Sequence, residues 1–196
     1  EAATVDVLSD GRLELGLGAG WMTSDYEQSG IGLESAPTRI ARLSEAVEVV
    51  KALFTGEPVN HRGEHYRIDG LVGAPRPAQR PPPPILIGGG GPTVLRLAAR
   101  EADIVGINID LRAGVIDASA GPNATEEATD EKIALIRDEA GERFDDLELQ
   151  IRIHLAMVTD DRVGVAQAMA PTLGLTPEAA LRTPHALVGT ADEIVD

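Results

Sequence analysis

Between residues 85 and 109, two short apolar runs bracket one helix-length segment: "ILI", then "PTVLRLAARE", then "DIVGINI". A strand that is apolar at nearly every position is buried on both faces, and two such strands joined by a helix run parallel. The same order extends in both directions. Upstream, "RLELGLG" alternates, with Leu13, Leu15 and Leu17 on one side and Glu14, Gly16 and Gly18 on the other, which predicts a strand over 13–18. "TRIARLSEAVEVVKALF" places Ile40, Leu43, Val47, Val50 and Phe54 at spacings of three and four, an amphipathic helix. Downstream, "TEEATDEKIALIRDEAG" reads as a helix with acids in its first turns and Gly141 at its end. "LELQIRIHLAMVT" predicts one long strand over 147–159, and "RVGVAQAMA" a weaker helix. Thr190 and Glu193 form a capping box for one more helix. Alternating strands and helices predict an α/β fold with a parallel sheet and crossover helices. Residues 19–37 and 110–124 read as loops, "VNHRGEHYRID" as a short hairpin turning at Arg62–Gly63, and 75–84 as a Pro-rich tether inside one unit, 1–196.

Composition narrows the class. Hydrophobic residues are 43% of the 196 and aromatics 3%, so the core is aliphatic. A formal charge of -15 argues against nucleic acid or an anionic membrane as partner. No run of about 18 apolar residues predicts a membrane span. The opening "EAATVDVLSD" has neither the basic start nor the apolar stretch of a signal peptide, so the expected location is cytoplasmic. Cysteine is absent, which removes disulfides and thiolate chemistry. No His/Asp/Glu spacing predicts a metal site. The chain begins with Glu1 and stops within the helix that Thr190 opens, so a fragment is expected.

The chemistry-bearing motif is "ILIGGGGPT". A strand, a glycine-rich turn and a helix start make an anion site: without Cβ atoms a ligand comes close, and the free N–H groups of the first helical turn face it. Gly88, Gly89, Gly90 and Gly91 precede Pro92 near the first helical position, with at least one glycine expected at positive φ. A valine at Gly89 is expected to obstruct the ligand more than the fold. No Lys follows, so this is not a P-loop. "GLGAG" at 16–20 imitates a dinucleotide fingerprint but runs into a loop where that motif needs a helix. Two glycine-rich turns at the C-terminal ends of two strands suit the mouth of a (β/α)₈ barrel.

These segments, in this order, resemble a known family. "LSDGRLELGLGAGW" with Tyr26, the "R..RL.E" helix ending in "LFTGEPV", "HYRI", "PRPAQRPPPPILIGGGG" and "AAREADIVGI" are similar to the bacterial luciferase-like monooxygenases, above all to the actinobacterial branch that uses the deazaflavin coenzyme F420. The resemblance is specific over residues 1 to 110 and looser beyond. It implies a TIM barrel, of which members have roughly 300 residues. Strands four to seven would be 13–18, 85–88, 103–109 and 147–159, with strands one to three and eight missing. It implies that Ile87 and Gly88 to Gly91 bind the cofactor phosphate, and that Gly18, Ala19 and Gly20 face the cofactor. Members using FMN carry an Arg in that turn; Ala19 here leans toward F420, with FMN as the alternative. Trp21, Tyr26 and His185 would lie where substrate binds. The implied activity is hydride transfer between F420 and a small organic substrate, with a homodimer as the expected assembly. The catalytic side chains of the family come largely from the missing strands, so none is assigned here.

Two rival readings share the turn. A non-catalytic member would keep the phosphate site and lose the chemistry. A sugar-phosphate isomerase barrel would show a catalytic Glu or Lys at a strand end, and the four predicted strands end without one. His61 and His65 read as solvated hairpin residues, and His154 as a structural histidine within the long strand.

Overall fold

The computed structural model describes residues 1–115 and 117–195. Helix α1 (Ala2–Leu8) turns through Asp10 and Gly11, both at positive φ, into strand β1 (Leu15–Leu17). Helices α2 (Thr23–Ser29) and α3 (Ala36–Phe54) follow, then strands β2 (Pro58–Arg62) and β3 (Arg67–Val72). The chain continues through β4 (Ile85–Gly89), α4 (Pro92–Glu101), β5 (Ile104–Ile107), α5 (Glu126–Ala140) and β6 (Glu148–Ile151). It ends with β7 (Leu155–Val158), α6 (Arg162–Leu173), α7 (Pro177–Arg182), β8 (Ala186–Gly189) and α8 (Ala191–Val195). A 3₁₀ turn, Ala118–Asn123, lies within the segment between β5 and α5. Among the described residues, no helix is long and apolar enough to cross a membrane.

β1, β4, β5 and β6 form one sheet in that order, and every neighbouring pair is parallel. Alternation sends Ile85 and Ile87 of β4, and Val105 and Ile107 of β5, to one face. There they pack with Leu43 and Val47 of α3, Leu95, Ala98 and Ala99 of α4, and Ile136 of α5. β2 and β3 pair antiparallel as the predicted hairpin. Its turn is tied to α3: the Glu45 carboxylate accepts N–H bonds from Glu64 (2.8 Å), His65 (3.0 Å) and Tyr66 (3.0 Å), and contacts His61 Nε2. Burial works to raise the Glu45 pKa, but these donors outweigh it and hold it at about 2. His61 and His65 are accordingly half-buried against α3, contrary to the solvated placement expected from their polar surroundings.

Two further expectations fail. The predicted strand over 147–159 is two strands. β6 completes the main sheet beside β5, whereas β7 pairs parallel with β8 in a separate two-stranded sheet. The break falls where partners change: Arg152 N–H donates to Ile107 O, and His154 N–H donates to His185 O. Continuous alternation cannot reveal such a change, because both halves keep period two. Residues 19–37 also contain α2, which is short, has no side-chain cap at Met22 and buries no residue, so it carries little of the apolar periodicity that marks a helix.

Candidate functional site

In a parallel sheet all C-terminal strand ends share one edge. The register pairs Leu17 with Ile87, Gly88 with Gly106, and Ile107 with Ile151. Gly18–Gly20, Gly88–Gly91, Asn108–Asp110 and Arg152–His154 therefore emerge together, and the two glycine-rich turns are neighbours.

None of Gly88 to Gly91 has positive φ, so the reason for four glycines is space rather than a left-handed turn. They divide into two kinds. A Cβ at Gly89 would collide with Val94 of α4, and one at Gly90 with the backbone of Ile109 and Asp110. Packing therefore asks for glycine at both positions, and Gly89→Val carries a cost to the fold through Val94 as well as any cost to a ligand. Gly88 and Gly91 are different. The nearest atom to a Cβ would be Gly106 O at 3.7 Å for Gly88 and Asp110 Oδ2 at 3.7 Å for Gly91, ordinary contacts. Internal packing leaves room at both. Gly91 is the N-cap of α4 and no side chain caps that helix. Pro92 has no N–H to lose, and the first-turn N–H groups of Thr93 and Val94 have no side-chain cap. A phosphate-bearing group fits this turn: it finds donors, a helix dipole and no Cβ in the way.

In the turn after β1, Gly18 is exposed with nothing near its Cβ position, while Ala19 packs on the main core. Gly20 has φ 76°, and the Tyr26 hydroxyl from α2 fills the space beside it. Trp21 packs on Ile109, Leu111, Ala120 and Ala124, a small second core. Ile87 is fully buried toward the helices, so only its backbone could meet a ligand.

The loop after β5 is fastened at several points. Lys132 of α5 is buried, and its Nζ donates to Asn108 O (2.9 Å) and Asn123 O (2.8 Å). Burial pushes its pKa down to about 8, with the Asp110 charge opposing. Asp110 N–H donates to Asn123 Oδ1 (2.6 Å), and Thr183 Oγ1 donates to Ala124 O (2.5 Å). The Asp110 carboxylate faces Gly91 and pairs with Arg112. Burial works to raise its pKa, but the Arg112 hydrogen bonds and charge, with Lys132, prevail and hold it low. Sequence reasoning passed over Lys132, Asp110 and Arg112. The signal for Lys132 was present: it falls three residues after Thr129 and four before Ile136, in the buried stripe of α5.

His154 does not lie in a strand. It is exposed at the end of β6, and its Nε2 contacts Asn108 Oδ1 at 3.2 Å. Asn108 Oδ1 already accepts from Ile109 N–H, so His154 Nε2 is the donor. His185 is buried beside it, ring centroids 5.8 Å apart. Its Nδ1 donates to Arg152 O at 2.9 Å, while Nε2 is enclosed without a protein partner. Burial is the main cause holding the His185 pKa below its usual value, so Nε2 is a bare acceptor near neutral pH.

Comparison with known proteins agrees with this architecture. The family model for luciferase-like monooxygenases matches residues 1–196. An F420-dependent glucose-6-phosphate dehydrogenase of Nakamurella multipartita is 33% identical over 198 residues, covering 98% of this chain and 54% of that protein. A flavin-dependent trigonelline monooxygenase oxygenase component of Acinetobacter baylyi is 35% identical over 81 residues, 41% of this chain and 22% of its own. The coenzyme F420-dependent tetrahydromethanopterin reductase structure from Methanopyrus kandleri superposes with a TM-score of 0.74 at 18% identity, over 100% of this chain and 66% of its own. The chain thus spans about half the length of its Nakamurella relative.

Proposed function

We propose that this chain, which belongs to the luciferase-like monooxygenase family, is the phosphate-holding part of an F420-dependent oxidoreductase barrel. In this reading β1, β4, β5 and β6 are strands four to seven, and the remaining strands lie in the rest of a longer protein. The observation that carries it is the pair Gly88 and Gly91, free of Cβ atoms for no internal packing reason, at an uncapped helix start on the C-terminal edge of a parallel sheet. The similarity to an F420-dependent dehydrogenase over 98% of the chain supports the same cofactor.

When bound, coenzyme F420 supplies hydride transfer to or from a small organic substrate. The residues of this chain bind and orient. First-turn amides of α4 hold the anionic tail, while Gly18 and Gly88 leave the neighbouring strand ends clear. Trp21 and Tyr26 fix the mouth loops through packing instead of reaching outward. His185 is enclosed and supports the Arg152–His154 segment through Nδ1 instead of reaching a substrate. FMN is the second reading, favoured by the flavin-dependent relative and disfavoured by Ala19, which brings no positive charge to the turn after β1.

Fluorescence titration of the full-length protein with F420 and with FMN tests the choice. F420 is expected to bind tighter; a preference for FMN would contradict it.

A further inference from the structure

We propose that Arg112 is the counter-charge for the cofactor phosphate, bridging it to Asp110. The proposal rests on the reading of the Gly88–Gly91 turn as the phosphate site, and it adds what that turn lacks, a cation. Amides and a helix dipole supply only partial charges. The turn after β1 offers Ala19, and Lys132 is buried with two of its three N–H groups bonded to Asn108 O and Asn123 O. Asp110 makes the need sharper. A Cβ on Gly91 would lie 3.7 Å and 3.9 Å from its two carboxylate oxygens, so a phosphate seated at Gly91 has an ionised carboxylate for a neighbour. Left alone, that carboxylate would repel it.

Arg112 answers both requirements. Its Nε donates to Asp110 Oδ2 at 2.8 Å, its Nη2 donates to the same oxygen, and its backbone N–H donates to Asp110 Oδ1 at 3.1 Å. One edge of the guanidinium is thus fixed on Asp110, and the Nη1 edge remains for an oxyanion. The side chain is 74% exposed, so that free edge is open to solvent beside Asp110, whose carboxylate faces Gly91. Asp110 itself is held by its backbone, through Asn123 Oδ1, independently of its carboxylate. Asp110 is therefore a positioning residue for Arg112, and it makes anion binding conditional on that arginine.

The test compares F420 with 8-hydroxy-5-deazariboflavin, which carries the same ring without the phosphate-bearing tail, by fluorescence titration of the full-length protein. The quantity read is the ratio of the two affinities. Arg112→Met is expected to lower the ratio by about tenfold, the scale of one charge-assisted hydrogen bond. The affinity for the tail-free ring and the thermal midpoint stay unchanged. Arg112→Met with Asp110→Asn is expected to recover part of the loss, because the uncompensated carboxylate is gone. In wild type the ratio falls as salt rises. If wild type binds F420 more tightly than the tail-free ring but Arg112→Met leaves the ratio intact, the role of Arg112 is overturned and the phosphate site stands. If the double variant recovers nothing, Asp110 is not the neighbour of the phosphate. If wild type does not favour F420 over the tail-free ring at all, the phosphate site itself is wrong.

Discussion

Gly90→Val is expected to destabilise the full-length protein by about 3 kcal/mol or more, at the severe end of single substitutions. A Cβ at Gly90 meets the carbonyl of Ile109 and the amide of Asp110. These are backbone atoms at the end of β5, and they cannot rotate away as a side chain could. Either β4 and β5 separate at their C-terminal ends or the entry to α4 shifts. Both disturb the buried contacts of Ile87, Ile107 and Leu95. The chain before and after the turn has no slack to absorb the displacement, because Asn108 N–H donates to Gly89 O at 3.0 Å. Thermal or urea denaturation measures the cost. A loss under about 1 kcal/mol would mean that the close approach of the two strand ends is not required.

Lys132→Met is the second large effect, a loss of about 2–3 kcal/mol. It removes two hydrogen bonds from a charged donor to buried carbonyls and keeps the volume of the side chain. The sign of the pH dependence is fixed by the direction of the pKa shift. Burial lowers the folded pKa to about 8, while the unfolded chain titrates near 10.4. Between those values the unfolded state binds more protons, so wild-type stability rises with pH across that window. The neutral amine still has two N–H groups for the two carbonyls, so the clamp survives deprotonation. The difference in this rise between wild type and Lys132→Met isolates the one group. Trp21, the sole tryptophan of the chain, packs on the clamped loop and gives a second readout. Its emission should shift to longer wavelength in Lys132→Met. Equal stability of the two proteins from pH 7 to 10, with unchanged emission, would show that Lys132 fastens nothing.

Much of this architecture was legible because the physics is local. The apolar runs around residues 85 and 104 and the three-four spacing of α3 each point one way, and the parallel sheet follows from their order. Thr190 and Glu193 bond as a capping box should, Thr190 N–H to Glu193 Oε2 at 2.8 Å. What could not be read depends on partners distant in sequence. Nothing in "LELQIRIHLAMVT" announces that its second half pairs with Ala186–Gly189 instead of continuing the main sheet. The glycine run stands out in the sequence, but the division of labour within it does not, and the positive φ expected there is absent. Gly90 answers to Ile109, nineteen residues on, and only the folded register brings them together. Asp110 and Arg112 are two more charges in a loop by sequence, and only the fold puts the Asp110 carboxylate beside Gly91 with Arg112 on it.

The central claim is that the open end of α4 is kept free for a ligand. Gly91→Asn separates that from a purely structural turn, because the two accounts give opposite signs. Gly91 sits at φ -87° and ψ 151°, a backbone any residue adopts, and asparagine is a strong N-cap whose side-chain oxygen accepts from the first-turn N–H groups. The variant should therefore be as stable as wild type or slightly more so, by a few tenths of a kcal/mol. The same side chain occupies the donors and the space reserved for the phosphate. F420 affinity measured by fluorescence titration of the full-length protein should fall by about tenfold or more. A Gly91→Asn protein that keeps its thermal midpoint and binds F420 as tightly as wild type would contradict the account.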